Sequence, residues 1–237
     1  MQALIVRGGW AGHDPFETSE IAARELRAAG FAVELADTLD ALRDEEKLLA
    51  LDLIVPVWTM GSIEREQLQP LLKAVKAGVG LGGWHGGMCD AFRQAADYQF
   101  MTGGQWVAHP GNATVPYTVH LGPSASPITA GLSDFAVTSE QYYMHVDPAV
   151  TVLAYTNVAA ANASGDPYSV EAQADVEAGR APGITMPVVW TKRFGKGRVY
   201  HLTLGHQAAI FNIPEALALM RRGLVWAAEG KAGASTQ

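Results

Sequence analysis

Hydrophobic and polar positions along the first 95 residues switch repeatedly between two periods. Ala3 to Val6 is a short apolar run. Glu17 to Ala29 carries Ile21, Ala22, Glu25 and Leu26 at helical spacing, and Gly30 supplies a stop. Phe31 to Leu35 alternates as a strand, and Leu39 to Leu49 reads as a charged amphipathic helix. Leu51 to Val57 is continuously apolar, the pattern of a strand covered on both faces. Ile63 to Ala77 returns to the helical period, Gly78 ends it, and Val79-Gly80-Leu81 begins a fourth strand. Strictly alternating strands and helices predict a parallel sheet with crossover helices.

The pattern changes after residue 104. Gln105 to Thr138 holds prolines at 110, 116, 123 and 127, with an extended stretch from Tyr117 to Leu121. Val150 to Thr156 alternates as another strand. Asn157 to Gly183 is rich in Ala, Gly, Ser, Asp and Pro and reads as a long surface excursion. Met186 to Phe194 and Arg198 to Leu204 are strands joined around Gly195-Lys196-Gly197, a hairpin signal. Pro214 to Glu229 is a final helix. With no repeat and no linker, residues 1–230 read as one domain and 231–237 as a flexible tail.

One segment combines the periods in an informative way. Leu81-Gly82-Gly83-Trp84-His85-Gly86-Gly87-Met88 runs from an apolar strand through glycines into Asp90-Ala91-Phe92-Arg93. Glycines flanking a single polar side chain are what a sharp strand-to-helix elbow needs, because the turn forces unusual backbone angles. Such an elbow displays its central residue at the carboxyl edge of a parallel sheet, where open α/β folds bind ligands. Here that residue is an imidazole.

Charge and cysteine content narrow the partners. Seventeen Lys and Arg against 24 Asp and Glu give a net charge of −7, with no basic cluster, which argues against nucleic acid and anionic membranes. No apolar run approaches the roughly 20 residues of a membrane span. The single cysteine, Cys89, excludes an intramolecular disulfide and fits a reducing compartment, so a cytoplasmic protein is expected. Neither Gly-x-Gly-x-x-Gly nor a Walker lysine occurs, so no nucleotide cofactor is assigned.

Histidines stand at most predicted strand ends. His13 follows the first strand, His85 is the elbow residue, and His206 closes the last strand; His109 and His145 lie in glycine- and aromatic-rich segments. The ends of parallel strands share one edge, so His13, His85 and His206 can converge, with His145 and Glu140 as further candidates. Three imidazoles, or two with a carboxylate, make an open metal site. No His-Glu-x-x-His or paired Cys-x-x-Cys motif is present, so the argument rests on convergence. Each histidine taken singly also reads as a loop hydrogen-bonder. His120 and His201 fall inside strands and read as structural. Trp10, Trp58, Trp84 and Trp106 stand beside glycine loops or strand ends, as sugar-stacking platforms or as core. Cys89 reads as a small buried thiol.

These residues together resemble the ThuA-like family, named for trehalose utilisation. The resemblance runs from Ala3 to about Trp226. Its specific pieces are Gly83 to Met88 with Asp90 to Arg93, Gly103 to Gly111, Ser139 to Pro148, Met186 to Trp190 and Leu204-Gly205-His206. It implies a class I glutamine amidotransferase-like fold, a flavodoxin-like α/β three-layer sandwich with a mainly parallel sheet, with extra hairpin elements in the C-terminal half. True amidotransferases place cysteine at the elbow, backed by histidine and glutamate; here the elbow is His85, and His206 resembles the backing histidine. Without an elbow thiolate no thioester with glutamine can form.

The resemblance also implies a sugar context, and carbonyl chemistry suggests a route. A ketone at C3 acidifies the proton at C2, a base removes it, and the glycosidic oxygen leaves from C1. The expectation is therefore an enzyme acting on trehalose-type or 3-keto sugars, assisted by a divalent metal such as zinc or manganese. His85, His206 and Glu140 are its candidate catalytic residues. Its candidate ligands are His13, His85, His145 and His206, and Trp10, Trp58, Trp106 and Tyr142 are its candidate sugar contacts. Two alternatives stand beside it: a non-catalytic sugar-binding or scaffold protein, and a metal-free hydrolase using His85 and His206 as acid and base. A homodimer is expected by analogy with such folds.

Overall fold

A computed structural model describes residues 1–234. Eleven strands run in chain order: β1 (Gln2–Gly9), β2 (Ala32–Ala36), β3 (Leu53–Thr59), β4 (Gly80–Trp84), β5 (Gly104–Ala108), β6 (Val115–Leu121), β7 (Phe135–Ser139), β8 (Tyr143–Val146), β9 (Thr151–Ala159), β10 (Gly183–Phe194) and β11 (Gly197–Leu202). Eight helices accompany them: α1 (Pro15–Ala28), α2 (Glu45–Ala50), α3 (Arg65–Ala77), α4 (His85–Cys89), α5 (Ala96–Thr102), α6 (Ala160–Ala163), α7 (Val170–Glu177) and α8 (Pro214–Ala234).

Nine strands form one sheet in the order β2-β1-β3-β4-β11-β10-β9-β6-β7. From β2 to β11 every pairing is parallel, and from β11 to β7 every pairing is antiparallel. The chain moves from β1 outward to β2, then returns to lay β3 on the other side of β1. That reversal opens a crevice at the carboxyl ends of β1 and β3, where ligands bind in such sheets. β5 and β8 pair separately as an antiparallel ribbon.

Two apolar cores lie on opposite faces of the sheet. One joins Ile5, Val55 and Tyr200 to Ala22 and Leu26 of α1 and to Leu219 and Leu224 of α8. The other joins Leu4, Ile54 and Leu81 to Leu48 of α2, Leu71 and Val75 of α3 and Met101 of α5. Leu4 and Ile5 thus face opposite layers, as the two-residue strand period requires. Both faces being covered explains why β3 reads as one unbroken apolar run.

Three sequence expectations differ from the structure. The helix expected over Leu39 to Leu49 is broken into a 3-10 turn, Leu39–Leu42, and α2, because the Asp44 carboxylate accepts the Lys47 amide at 3.0 Å and starts a new helix there. The excursion from Asn157 to Gly183 contains the end of β9, α6, α7 and the start of β10. Buried amides tie it down: Gln173 accepts from Ala159 N and donates to Asn157 O, and Asn162 exchanges hydrogen bonds with the Ser169 backbone. Lys231, placed at the start of the expected tail, lies in α8, and its Nζ donates to the carbonyls of Leu49 and Leu51. Residues 235–237 of that segment lie outside the described residues. Among the described residues no helix is long and apolar enough to cross a membrane.

Candidate metal centre

Four elements of the parallel half end at one place. β1 leads through Trp10 to a 3-10 turn that carries His13. β3 ends on Thr59, β4 runs into the elbow, and the segment after β11 holds Thr203 and His206. The elbow forms as the glycines predict. His85 takes φ +49°, a left-handed conformation costly for a side-chain-bearing residue, directly at the strand-to-helix junction. Gly86 is needed for a different reason: a Cβ there would lie 2.6 Å from His13 Cε1. Gly205 turns the chain toward His206 at φ +126°, and a Cβ there would strike Trp84 Cδ1 at 2.5 Å.

Glu140 enters from the antiparallel half, just past β7, and becomes the hub. Its Oε2 lies 3.1 Å from His85 Nε2, 3.4 Å from His206 Nδ1 and 3.8 Å from His13 Nε2. Its Oε1 lies 3.9 Å from His109 Nε2. One donor atom from each of His13, His85, Glu140 and His206 can be chosen so that all four lie within 4.8 Å of one another. The rings also pack together, with His13 4.5 Å from His85 and 5.2 Å from His206 between centroids. All four side chains are buried or nearly so.

Hydrogen bonding fixes the direction of the lone pairs. The Thr203 carbonyl can only accept, so His85 Nδ1 carries the proton it donates there at 2.7 Å. In neutral His85 the Nε2 lone pair therefore faces a carboxylate oxygen 3.1 Å away. His13 Nδ1 shares a 2.8 Å hydrogen bond with Thr59 Oγ1, which leaves its Nε2 facing the same oxygen. His206 Nδ1 is buried there without a hydrogen-bond partner. Burial pushes the His85 imidazolium down, the nearby Glu140 only partly offsetting it. Burial, with His85 beside it, pulls His13 down to about 3. Burial alone would raise the Glu140 carboxyl, but contact with His206 and His85 outweighs it and holds the group well below the usual carboxylate range. Neutral imidazoles and an ionised carboxylate turned on one point are a donor set for a divalent cation. Thr203 and Thr59 orient two of these imidazoles from outside, the role such partners would play around a bound cation.

Other candidates from the sequence fall in different places. His145 is exposed on β8 and is not a member of the four-residue group. Tyr142 is buried and stacks on His85 with centroids 4.0 Å apart, so it backs the imidazole. Trp10 is 46% exposed and meets His13 edge-on at 4.8 Å. Trp58 is partly buried and packs against the core. Trp106 lies beside His109 at 5.2 Å, and the Arg93 guanidinium covers its ring at 4.7 Å. Cys89 is buried, and burial pushes its thiol up, away from the reactive thiolate.

Hydropathy and spacing do not single out Thr59, Thr203 or Arg93, and they leave His109 without a role. Arg93 is held by a two-pronged pair with buried Asp90, at 2.6 and 3.0 Å. His109 and Arg93 both sat in segments that carried the family resemblance; strand-end threonines give no hydropathy signal at all.

The comparisons agree with this architecture. Residues 2–227 match the family model ThuA, described as trehalose utilisation. The chain belongs to the ThuA family. A ThuA-like protein from Parabacteroides merdae shares the fold with a TM-score of 0.71 at 18% identity, over 98% of this chain and 91% of that one. A ThuA-like protein from Bacteroides uniformis gives 0.73 at 16% identity, over 96% and 91%. A protein from Salmonella typhimurium LT2, described as cytoplasmic, gives 0.66 at 14% identity, over 96% and 99%. No curated protein matches the chain. This ThuA-family chain is thus a three-layer α/β protein whose sheet edge carries the histidine cluster.

Proposed function

We propose that this ThuA-family protein is a metal-assisted enzyme that cleaves a trehalose-type 3-keto disaccharide or a related keto-glycoside. The observation that carries the reading is the meeting of three imidazoles and the Glu140 carboxylate in one buried cluster, with the His85 Nε2 lone pair turned on a carboxylate oxygen, an arrangement that a cation between them would satisfy. His13, His85 and Glu140 would hold it, two imidazoles and a carboxylate leaving open positions. A bound zinc or manganese ion supplies a Lewis acid for a sugar carbonyl oxygen.

The remaining groups handle protons. His206, the least enclosed of the four, is placed to take the proton from C2 of a 3-keto ring. The C2–H pair then forms the C1–C2 double bond, and the C1–O bond breaks with its pair on the glycosidic oxygen. His109, half-buried at the rim and 3.9 Å from Glu140, is placed to give that oxygen a proton. Trp10, exposed beside His13, supplies an apolar face for a sugar ring. Glutamine hydrolysis is not part of this reading, since an imidazole occupies the nucleophile's place and the Cys89 thiol is buried. The Salmonella relative's description supports a cytoplasmic setting.

Metal analysis of the purified protein and incubation with 3-keto-trehalose test the reading together. Stoichiometric metal lost in His85→Ala, and release of glucose from the substrate, are the expected results. Protein without metal that gains nothing from added zinc or manganese would remove the metal role, and unchanged keto-sugar would remove the reaction.

A further inference from the structure

A second cavity adjoins the cluster, of about 450 Å³, within the range of small-molecule sites. Its walls come from the antiparallel half: Trp106 on β5, His109 and Asn112 in the turn after it, Tyr143 on β8, and Asp166 and Tyr168 in the segment between α6 and α7. His109 is shared ground. It lines the cavity, and its Nε2 reaches to 3.9 Å from Glu140 Oε1, so one side chain bridges the cavity and the histidine cluster.

We infer that this cavity is the subsite for the second sugar ring, the one released when the glycosidic bond breaks. The inference rests on the function proposed above and specifies its substrate as a disaccharide or a glycoside with a polyhydroxylated leaving group. Two aromatic walls, Tyr143 and Tyr168, suit the apolar faces of a sugar ring, while Asn112 and Asp166 are exposed and offer hydrogen bonds to hydroxyls. Asp90 grips Arg93 with both oxygens, and Arg93 lies across the Trp106 indole ring. The Asp90-to-Arg93 segment thereby ties the wall of this cavity to the elbow that bears His85.

Calorimetric titration of the metal-loaded protein in a His206→Ala background that slows turnover, with the cavity wild type or altered, tests the inference by the ratio of the affinities for 3-keto-trehalose and methyl 3-keto-glucoside. The wild-type cavity should favour the disaccharide. Asn112→Gly, which removes an exposed side-chain amide and keeps the left-handed backbone there, should reduce the ratio about 3- to 10-fold, the worth of one neutral hydrogen bond. Ala163→Trp, which fills the cavity from α6, should abolish the preference, with unfolding temperature and circular dichroism confirming that each variant is folded. If both sugars bind the wild-type cavity with equal affinity, or if the ratio is unchanged in both variants, the cavity is not the second subsite while the proposed function stands. If neither sugar binds or reacts, the proposed function fails and the subsite with it.

Discussion

His85 Nε2 lies 3.1 Å from Glu140 Oε2, although 55 residues of chain separate the two. His85 reaches that point from the parallel half of the sheet and Glu140 from the antiparallel half. Thr203 fixes the imidazole by accepting from its other nitrogen at 2.7 Å. The site is thus assembled across the junction of two sheet regions.

The two histidines on Glu140 should separate by function. His85→Ala removes a ligand fixed by a second hydrogen bond and should release the metal, measured by elemental analysis. His206→Ala should keep most of the metal yet lower kcat by about 10²- to 10⁴-fold, the usual contribution of a general base. Equal metal loss in both variants would make His206 a ligand and leave the base unassigned.

Gly86→Ala should damage the site through packing. The new Cβ would lie 2.6 Å from His13 Cε1 and 2.7 Å from its Nδ1. His13 must then move away from Thr59. We expect about 1–3 kcal/mol of destabilisation, as for other overpacked sites, visible in denaturant titration, with weaker metal binding in parallel. Unaltered metal affinity would show that His13 is not needed.

Thr59→Val tests the outer contact alone. It keeps the shape of the side chain and removes the hydroxyl 2.8 Å from His13 Nδ1. Metal affinity should fall about 10- to 100-fold, typical for loss of such an orienting partner, measured by competition with a chromophoric chelator. The loss should be smaller than in His85→Ala.

The metal-free protein should lose stability in mild acid. His13 protonates near 3 in the folded chain against 6.5 ordinarily, and His85 and His201 are shifted in the same direction, each chiefly by burial. Between these values the unfolded chain binds protons that the folded chain excludes. The stability these histidines contribute is therefore complete above pH 6.5 and declines as pH falls toward 3. One such histidine gives a slope approaching 1.4 kcal/mol per pH unit, or about 1–2 kcal/mol between pH 6.5 and 5. Thermal melts of chelator-treated protein from pH 8 to 4.5 should show the decline, shallower in His13→Asn. A flat profile would mean that these imidazoles are charged in the folded state.

The sequence determined the parallel half of the fold and the elbow. Those features are local: β3 is apolar throughout because both faces are covered, helices announce themselves by period, and flanking glycines mark the elbow. Hydropathy also led to His13, His85 and His206, since strands of one parallel sheet end on one edge. Tertiary structure alone decided the rest. Glu140 and His145 lie five residues apart in one aromatic segment, yet Glu140 enters the cluster and His145 is exposed on β8. The segment 157–183 is anchored by buried amides of Asn162 and Gln173, which composition counts as polar surface. Thr59 and Thr203 orient the histidines through a hydroxyl and a carbonyl. The physical reason is the range of the forces: periodicity and backbone strain act between neighbours in sequence, whereas the direction of a lone pair is set by whichever donor or acceptor the folded chain brings within 3 Å.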